Sequence, residues 1–316
     1  MPEVVTLGET MVLFNPVENS PLRYVHYFSK HVAGAESNVA IGLTRLGHSV
    51  GWISRLGNDE FGRYIYNFLR GEGVDVSQVK FDPAAPTGIF FKERLGLGET
   101  KVYYYRRDSA ASRLKPEDLD REYIAGARYL HITGITPALS PTCYETVKAA
   151  VNMAKEAGVK VILDPNIRLK LWSKEEARKV ILELCSKADI ILPGLSEGEI
   201  LLGKNTPEDI AKELLGLGAQ IVVVKIGAGG AYYASPDEEG LEPGFRLPQV
   251  IDNVGAGDGF AAGFIAGILK GTTLKEAVRI ANAVGAFATT VKGDIEALPT
   301  LEQLESFLGT RKQVDR

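Results

Sequence analysis

From about Ala33 onward, the chain alternates between two kinds of apolar pattern. Runs rich in β-branched residues include Ser49–Ser54, Lys160–Asp164, Asp189–Pro193 and Gln220–Gly227. Between them, Asn38–Gly47, Thr146–Gly158 and Asp209–Gly218 carry apolar positions at helical spacing. Strands that are apolar throughout and alternate with amphipathic helices predict a parallel sheet covered by helices on both faces. Gly47, Gly158 and Gly218 follow helical runs and read as C-terminal caps. The last third turns helical, in Gly259–Gly271, Thr273–Val291 and Thr300–Gly309. The first of these carries small residues at helical spacing, so it can approach its neighbours closely.

Two segments break the alternation. Residues 11–32 and 87–111 are rich in aromatic and β-branched side chains, as in Thr87–Leu95 and Thr100–Arg107, with a Gly-x-Gly-Glu turn at Gly96–Glu99 joining the second pair. They read as antiparallel hairpins. Inserted in an α/β core of residues 1–10, 33–86 and 112–316, they predict a small β-sheet lid over the main sheet's edge.

The totals of the 316-residue chain add exclusions. It is 45% hydrophobic and 24% charged with a net charge of −4, which fits a globular protein and argues against a general nucleic-acid binder. A locally basic pocket for an anionic ligand is compatible with that charge. No stretch approaches the length of a membrane span, and Met1–Val12 does not have the pattern of a secretory leader. Cys143 and Cys185 match no metal spacing and read as buried thiols of a reducing compartment, so the expected location is cytoplasmic.

Several chemistries fail on residue types. Gly203-Lys204 is followed by Asn205, so no Walker A loop forms, and no Gly-x-Gly-x-x-Gly follows the first strand. No His-Glu-x-x-His occurs. Gly194-Leu-Ser-Glu-Gly198 imitates a nucleophile elbow, but the last histidine is His131, upstream of it, whereas that fold needs its histidine downstream. Ser196 reads instead as a helix N-cap with Glu199 three residues on.

The stretch Ile251–Phe264 survives. An extended run enters Gly255-Ala-Gly257 and then a helix, and a helix N-terminus presents unpaired N–H groups to an anion. Asp258 is either a first-turn acid favoured by the helix dipole or, facing a hydroxyl beside a phosphate site, a phosphoryl-transfer base. A second loop, Lys225–Gly230, is either a phosphate wrap or a hairpin turn.

Asp252-Asn-Val-Gly-Ala-Gly-Asp258 and Ala33-Gly-Ala-Glu-Ser-Asn-Val-Ala40 resemble the two signatures of the ribokinase/PfkB family of sugar kinases, over essentially the whole chain. Tyr103–Ser112, Leu163–Arg168 and Gly293–Pro299 resemble its 2-keto-3-deoxygluconate (KDG) kinases. The resemblance implies a ribokinase-like three-layer αβα core with a mostly parallel sheet plus the small lid. It also implies phosphorylation of a keto-sugar acid by ATP with Mg²⁺. Asp258 would be the general base, with the N–H groups of Gly255, Ala256 and Gly257 as anion hole. Gly34, Ala35 and Asn38 would hold sugar hydroxyls, and Asp294 others. Phe90, where the subfamily tends to have tyrosine, would line the lid. Tyr104, Arg106 and Arg168 would hold the far end, since a carboxylate prefers a planar guanidinium. Asn166, Arg168, Ser196, Lys225, Gly227, Gly229, Gly230, Gly255, Gly257 and Asn282 would surround ATP. Glu197 would position Mg²⁺ through water. Gly194 stands where many sugar kinases have asparagine. A monovalent cation near Asp252 and Val254 stays undecided, since Val254 offers no side-chain oxygen. Lid hairpins pairing between subunits would make a homo-oligomer. The alternatives are a fructose or nucleoside kinase, or a catalytically silent sugar sensor.

Overall fold

The computed structural model describes residues 1–95 and 99–310. The chain begins with β1 (Val4–Leu7), β2 (Met11–Pro16), β3 (Phe28–Ala33), α1 (Ala35–Arg45), β4 (Val50–Gly57), α2 (Glu60–Gly71) and β5 (Val79–Asp82). It continues through β6 (Ile89–Leu95), β7 (Glu99–Tyr105), α3 (Arg121–Ala125), β8 (Tyr129–Thr133), α4 (Pro141–Glu156), β9 (Lys160–Asp164), α5 (Lys174–Cys185) and β10 (Ile190–Ile191). The remainder is α6 (Leu195–Leu202), α7 (Pro207–Gly216), β11 (Ile221–Lys225), β12 (Ala231–Ala234), β13 (Glu239–Glu242), α8 (Ala256–Leu269), α9 (Leu274–Ala288) and α10 (Leu301–Leu308).

Nine strands form the main sheet in the order β13-β12-β11-β10-β9-β8-β1-β4-β5. The run from β11 to β5 is parallel, and β12 and β13 add an antiparallel edge. Successive strand residues point to opposite faces, and the sequence puts apolar groups on both. Val4, Trp52, Ile162 and Val223 join the core under α1, α2, α8, α9 and α10. Val5, Ile53, Leu163 and Val224 join the one under α3 to α7. This is the parallel sheet with helices on both faces that the alternation predicts, and it matches the three-layer core that the family resemblance implies.

The helix rich in small residues is α8, and it packs on α9. A methyl group added at Gly263 or Gly267 would lie 2.8 or 2.7 Å from the Cα of Ala281 or Ala277. Gly47, Gly158 and Gly218 adopt positive φ, as their capping role requires. Both cysteines are buried and free, and burial pushes the Cys143 thiol up to about 11 and that of Cys185 to about 12.

The aromatic segments form a second sheet, in the order β3-β2-β6-β7. Each pair is an antiparallel hairpin, and the two hairpins join through a parallel pairing of β2 with β6, with Leu13 opposite Phe90. The Gly-x-Gly part of the turn expected between β6 and β7 lies outside the described residues. Phe14 meets Phe61 of α2 edge-on at 5.7 Å, which anchors this sheet to the core.

Candidate active site

Side chains cap most of the helices: Ser140, Ser173, Thr206, Thr273 and Thr300 each accept the N–H three residues on. Three helices start differently. α1, α6 and α8 have Gly34, Gly194 and Gly255 at the N-cap, with no side-chain cap. Their first turns are left able to meet something other than their own side chains. All three begin at one cavity of about 540 Å³ beside the carboxyl ends of the parallel strands, where α/β sheets bind ligands.

Asp258, in the first turn of α8, is half-buried against this cavity. Asn38 donates to its Oδ2 at 2.8 Å and Asn166 to its Oδ1 at 3.3 Å. Asn166 holds a φ of +37°, a costly conformation for a residue with a Cβ, directly after β9. Protein packed around Asp258 pushes its pKa up to about 7; Asn38 and Arg168 pull it down, and Asp164 and Asp294 add to the rise. A carboxylate balanced near neutrality beside an open cavity suits a general base.

The anion loop adjoins it. Gly255 has φ +80°, and a Cβ there would lie 2.4 Å from the Asp294 carbonyl oxygen, so only glycine fits. Lys225, at the end of β11, is the atom nearest a Cβ added to Gly257, with its Nζ 3.9 Å away. Its ammonium binds Asp164 Oδ2 at 2.7 Å. Burial alone would lower the Lys225 pKa, yet Asp164 and Glu197 outweigh it and hold the cation above its ordinary value.

Around the rest of the cavity, charges are arranged in pairs. Arg106 is joined to Glu9, which is fully buried and also accepts from Ser109 at 2.5 Å. Lys92 of β6 is only 2% exposed and donates to Asp294 Oδ1 at 3.0 Å. Burial pushes the Asp294 carboxyl up, and Lys92 opposes it. Arg168 is exposed and has no ion pair or side-chain hydrogen bond among the described residues. Phe90 is buried against Tyr104, with ring centroids 5.4 Å apart.

All of the expected sugar residues therefore come together: Gly34, Ala35, Asn38, Phe90, Tyr104, Arg106, Arg168, Asp258 and Asp294 line this cavity. So do Asn166, Glu197, Lys225, Gly255 and Gly257, whereas Ala256 forms the first turn beside them. Ser196, Gly227, Gly229, Gly230 and Asn282 stand outside it. The 227–230 loop is a hairpin turn between β11 and β12, mostly exposed. It neighbours the start of α6, since the Lys225 N–H bonds the Pro193 carbonyl at 2.7 Å. Asn282 is buried and ties the carbonyls of Glu242 and Pro243.

One expectation is corrected: Ser196 is not an N-cap. It lies inside α6, and Glu197, not Glu199, closes the helix start by accepting the Gly194 N–H at 2.7 Å. Gly194 fills the cap because its backbone bridges to Lys225, leaving the serine one position inside the helix. The elbow resemblance also lacks a base. His131 is buried and bonded to Thr6 at 3.0 Å, and burial lowers its pKa to about 4.

For Mg²⁺, no group of three or more acidic, His or Cys side chains that could cage an ion occurs among the described residues. Glu197 accepts two backbone N–H groups, from Gly194 and from Ile167 at 2.9 Å. The protein packed around it raises its pKa. Such a donor set fits an ion carried mainly by phosphates and water, which is the habit of Mg²⁺. Asp252 is already engaged: Arg94 of β6 reaches its Oδ2 at 3.2 Å and the Val254 N–H its Oδ1 at 3.1 Å.

Glu9, Lys92, Arg94 and Asp164 carry no assignment from motif matching. For Lys92 and Arg94 a signal exists, because two cations at alternate positions of an apolar strand face one side and demand partners. Glu9 is an isolated acid whose partner lies far away in sequence, and Asp164, though inside the Leu163–Arg168 stretch, finds its partner Lys225 only 61 residues on.

Comparison with known proteins places the chain in a family. The pfkB family carbohydrate kinase family matches residues 1–301. The 2-dehydro-3-deoxygluconokinase of Bacillus subtilis (strain 168) is 44% identical over 99% of this chain and 97% of its own. The enzyme of that name from Thermoproteus tenax is 41% identical over 98% and 94%. An Escherichia coli structure provisionally described as a ribokinase II, in complex with ATP and Mg²⁺, superposes with a TM-score of 0.91 at 29% identity, covering 98% of this chain and 100% of that one. No described helix is long and apolar enough to cross a membrane.

Proposed function

Because the chain belongs to the pfkB family of carbohydrate kinases, we propose that it transfers the γ-phosphoryl group of ATP to the 6-hydroxyl of 2-keto-3-deoxygluconate. The relatives named for that reaction support the substrate. The observation that carries the chemistry is the Asp258 carboxylate, held by Asn38 and Asn166 at the first turn of α8. In this mechanism Asp258 takes the proton of the acceptor hydroxyl as its oxygen attacks the γ-phosphorus and ADP departs. The backbone N–H groups at Gly255, Ala256 and Gly257, with Lys225, meet the charge that develops on the transferred oxygens. When bound, Mg²⁺ would neutralise phosphate charge, and Glu197 would be the residue to orient its water shell.

At the other end, Arg168 supplies an uncommitted guanidinium for the substrate carboxylate. Arg106 differs: Glu9 absorbs much of its charge, so it orients more than it attracts. Asn38, Gly34 and Asp294 bind hydroxyls. The second sheet, from residues 11–32 and 87–111, acts as a lid that excludes water. ATP lies along the exposed 227–230 turn and the start of α6, close to Ser196. Asn282 acts from behind by fixing the Glu242–Pro243 backbone. Self-association through the lid is supported by its free edges β3 and β7 and by exposed Tyr27 and Tyr105. Light scattering at increasing concentration tests it. The buried thiols fit a reducing cytoplasm.

A panel of KDG, fructose, ribose and nucleosides with ATP-consumption readout tests the substrate. KDG should show the highest kcat/KM. A neutral sugar turned over better would replace this assignment with that of a fructose or nucleoside kinase, and no phosphorylated product from any would indicate a silent binder.

A further inference from the structure

Beside the acceptor cavity lies a second one of about 850 Å³, sharing Val102, Tyr104, Arg106 and Arg168 with it. Its walls include Leu139 and Ile167, and its charged lining consists only of the cations Arg106, Arg107, Arg168 and Lys170. Arg107 stands in solvent at the rim with Asp108 4.0 Å away. Lys170 has no ion pair among the described residues. Its Nζ lies 5.8 Å from the centre of the Tyr104 ring, and the Arg106 guanidinium 5.6 Å from the same centre. Tyr104 therefore separates the two cavities with a cation close to it from each of two chain segments. The loop bearing Lys170 is ordered by the Ile167 N–H bond to Glu197 at 2.9 Å and by the Leu171 N–H bond to the Arg168 carbonyl at 2.9 Å.

On a protein of net charge −4, a concave surface with cations and no carboxylate in its lining concentrates field lines and anions. We propose that this cavity is an anion-collecting antechamber to the acceptor pocket, and that Lys170 is a further specificity-determining residue that favours acceptors bearing a carboxylate. The inference rests on the acidic-acceptor function proposed above. The acid's carboxylate is drawn in past Tyr104 and settles on Arg168, which lines both cavities, so it still feels the Lys170 charge when bound. A neutral sugar gains nothing from the route.

The test is calorimetric titration of the whole protein with KDG and with fructose, at low and high salt, for wild type, Lys170→Gln and Lys170→Arg, with kcat and KM measured in parallel. Lys170→Gln should weaken KDG binding on the order of tenfold at low salt, flatten its salt dependence and place the loss in KM. Lys170→Arg should restore it, and fructose binding should not discriminate the three. Equal losses for KDG and fructose, or an unaltered salt slope for KDG, would overturn the antechamber. If wild type fails to bind KDG at all, the proposed function falls, and this inference with it. If wild type binds KDG and Lys170→Gln binds it equally well, the antechamber alone falls.

Discussion

Asn38 donates to the Asp258 carboxylate across 2.8 Å of space and 220 residues of sequence. The bond joins the first turn of α1 to the first turn of α8, so the two signature motifs meet at a single carboxylate. Because this bond favours the ionised form, it tunes the group assigned as the base.

The tuning has a sign. Protein packed around Asp258 raises its pKa to about 7, and the base works only when ionised. Turnover should be low in acid, rise as pH passes through about 7 and then level off. Asn38→Ala removes an influence that lowers the pKa, so the midpoint should move to higher pH and kcat should fall about tenfold or more. A pH–rate profile with an unmoved midpoint would contradict the assignment. Stability follows the opposite course. Between the unfolded value near 3.8 and about 7, the unfolded chain ionises while the folded one keeps the proton, so this group's contribution to stability declines as pH rises through that window.

Lys92 and Asp294 test the join between the second sheet and the core. Both are largely withdrawn from solvent, and removing the ammonium strands a carboxylate. Lys92→Met should cost about 3 kcal/mol, read by chemical denaturation, and adding Asp294→Asn should recover part of it. A single-variant loss below about 0.5 kcal/mol would show the pair to be unimportant.

Gly255 tests the anion loop. Its φ of +80° and the 2.4 Å approach of a Cβ to the Asp294 carbonyl oxygen leave no room for a side chain. Gly255→Ala should destabilise the protein by more than about 2 kcal/mol and lower kcat even where the fold persists. A thermal melt and turnover both matching wild type would argue against a built loop.

Asp252 bears on ion dependence. Arg94 already supplies its positive partner at 3.2 Å, and the Val254 N–H takes the other oxygen. Turnover with potassium should equal that with tetramethylammonium as the counterion. Activation by potassium in wild type would show that Asp252 exchanges its arginine for an ion.

Much of this was legible in the sequence. The period of apolar residues predicts the parallel sheet, both helical layers and the close packing of α8, because burial on two faces writes itself into each strand. The glycine-bounded Asp258 predicts a helix start with an acid in its first turn, which α8 shows, whereas its role as a base comes only with the family resemblance. Ser196 misleads because a serine before a glutamate is a local pattern, whereas the cap was settled by a backbone bridge between Gly194 and distant Lys225. The pairing of Arg106 with Glu9 and of Lys92 with Asp294 spans 97 and 202 residues, and no local pattern encodes it. The loop at 227–230 allows two readings in sequence, and its place between the antiparallel β11 and β12 makes it a turn.

The central claim is that Asp258 takes the proton. Its most direct test is phosphorylated-product formation from KDG and ATP by Asp258→Asn, an almost isosteric change that removes the base. Turnover should fall about 10³-fold or more while ATP binding, followed by calorimetry, stays close to that of wild type. Turnover within about tenfold of wild type would mean that the proton leaves by another route.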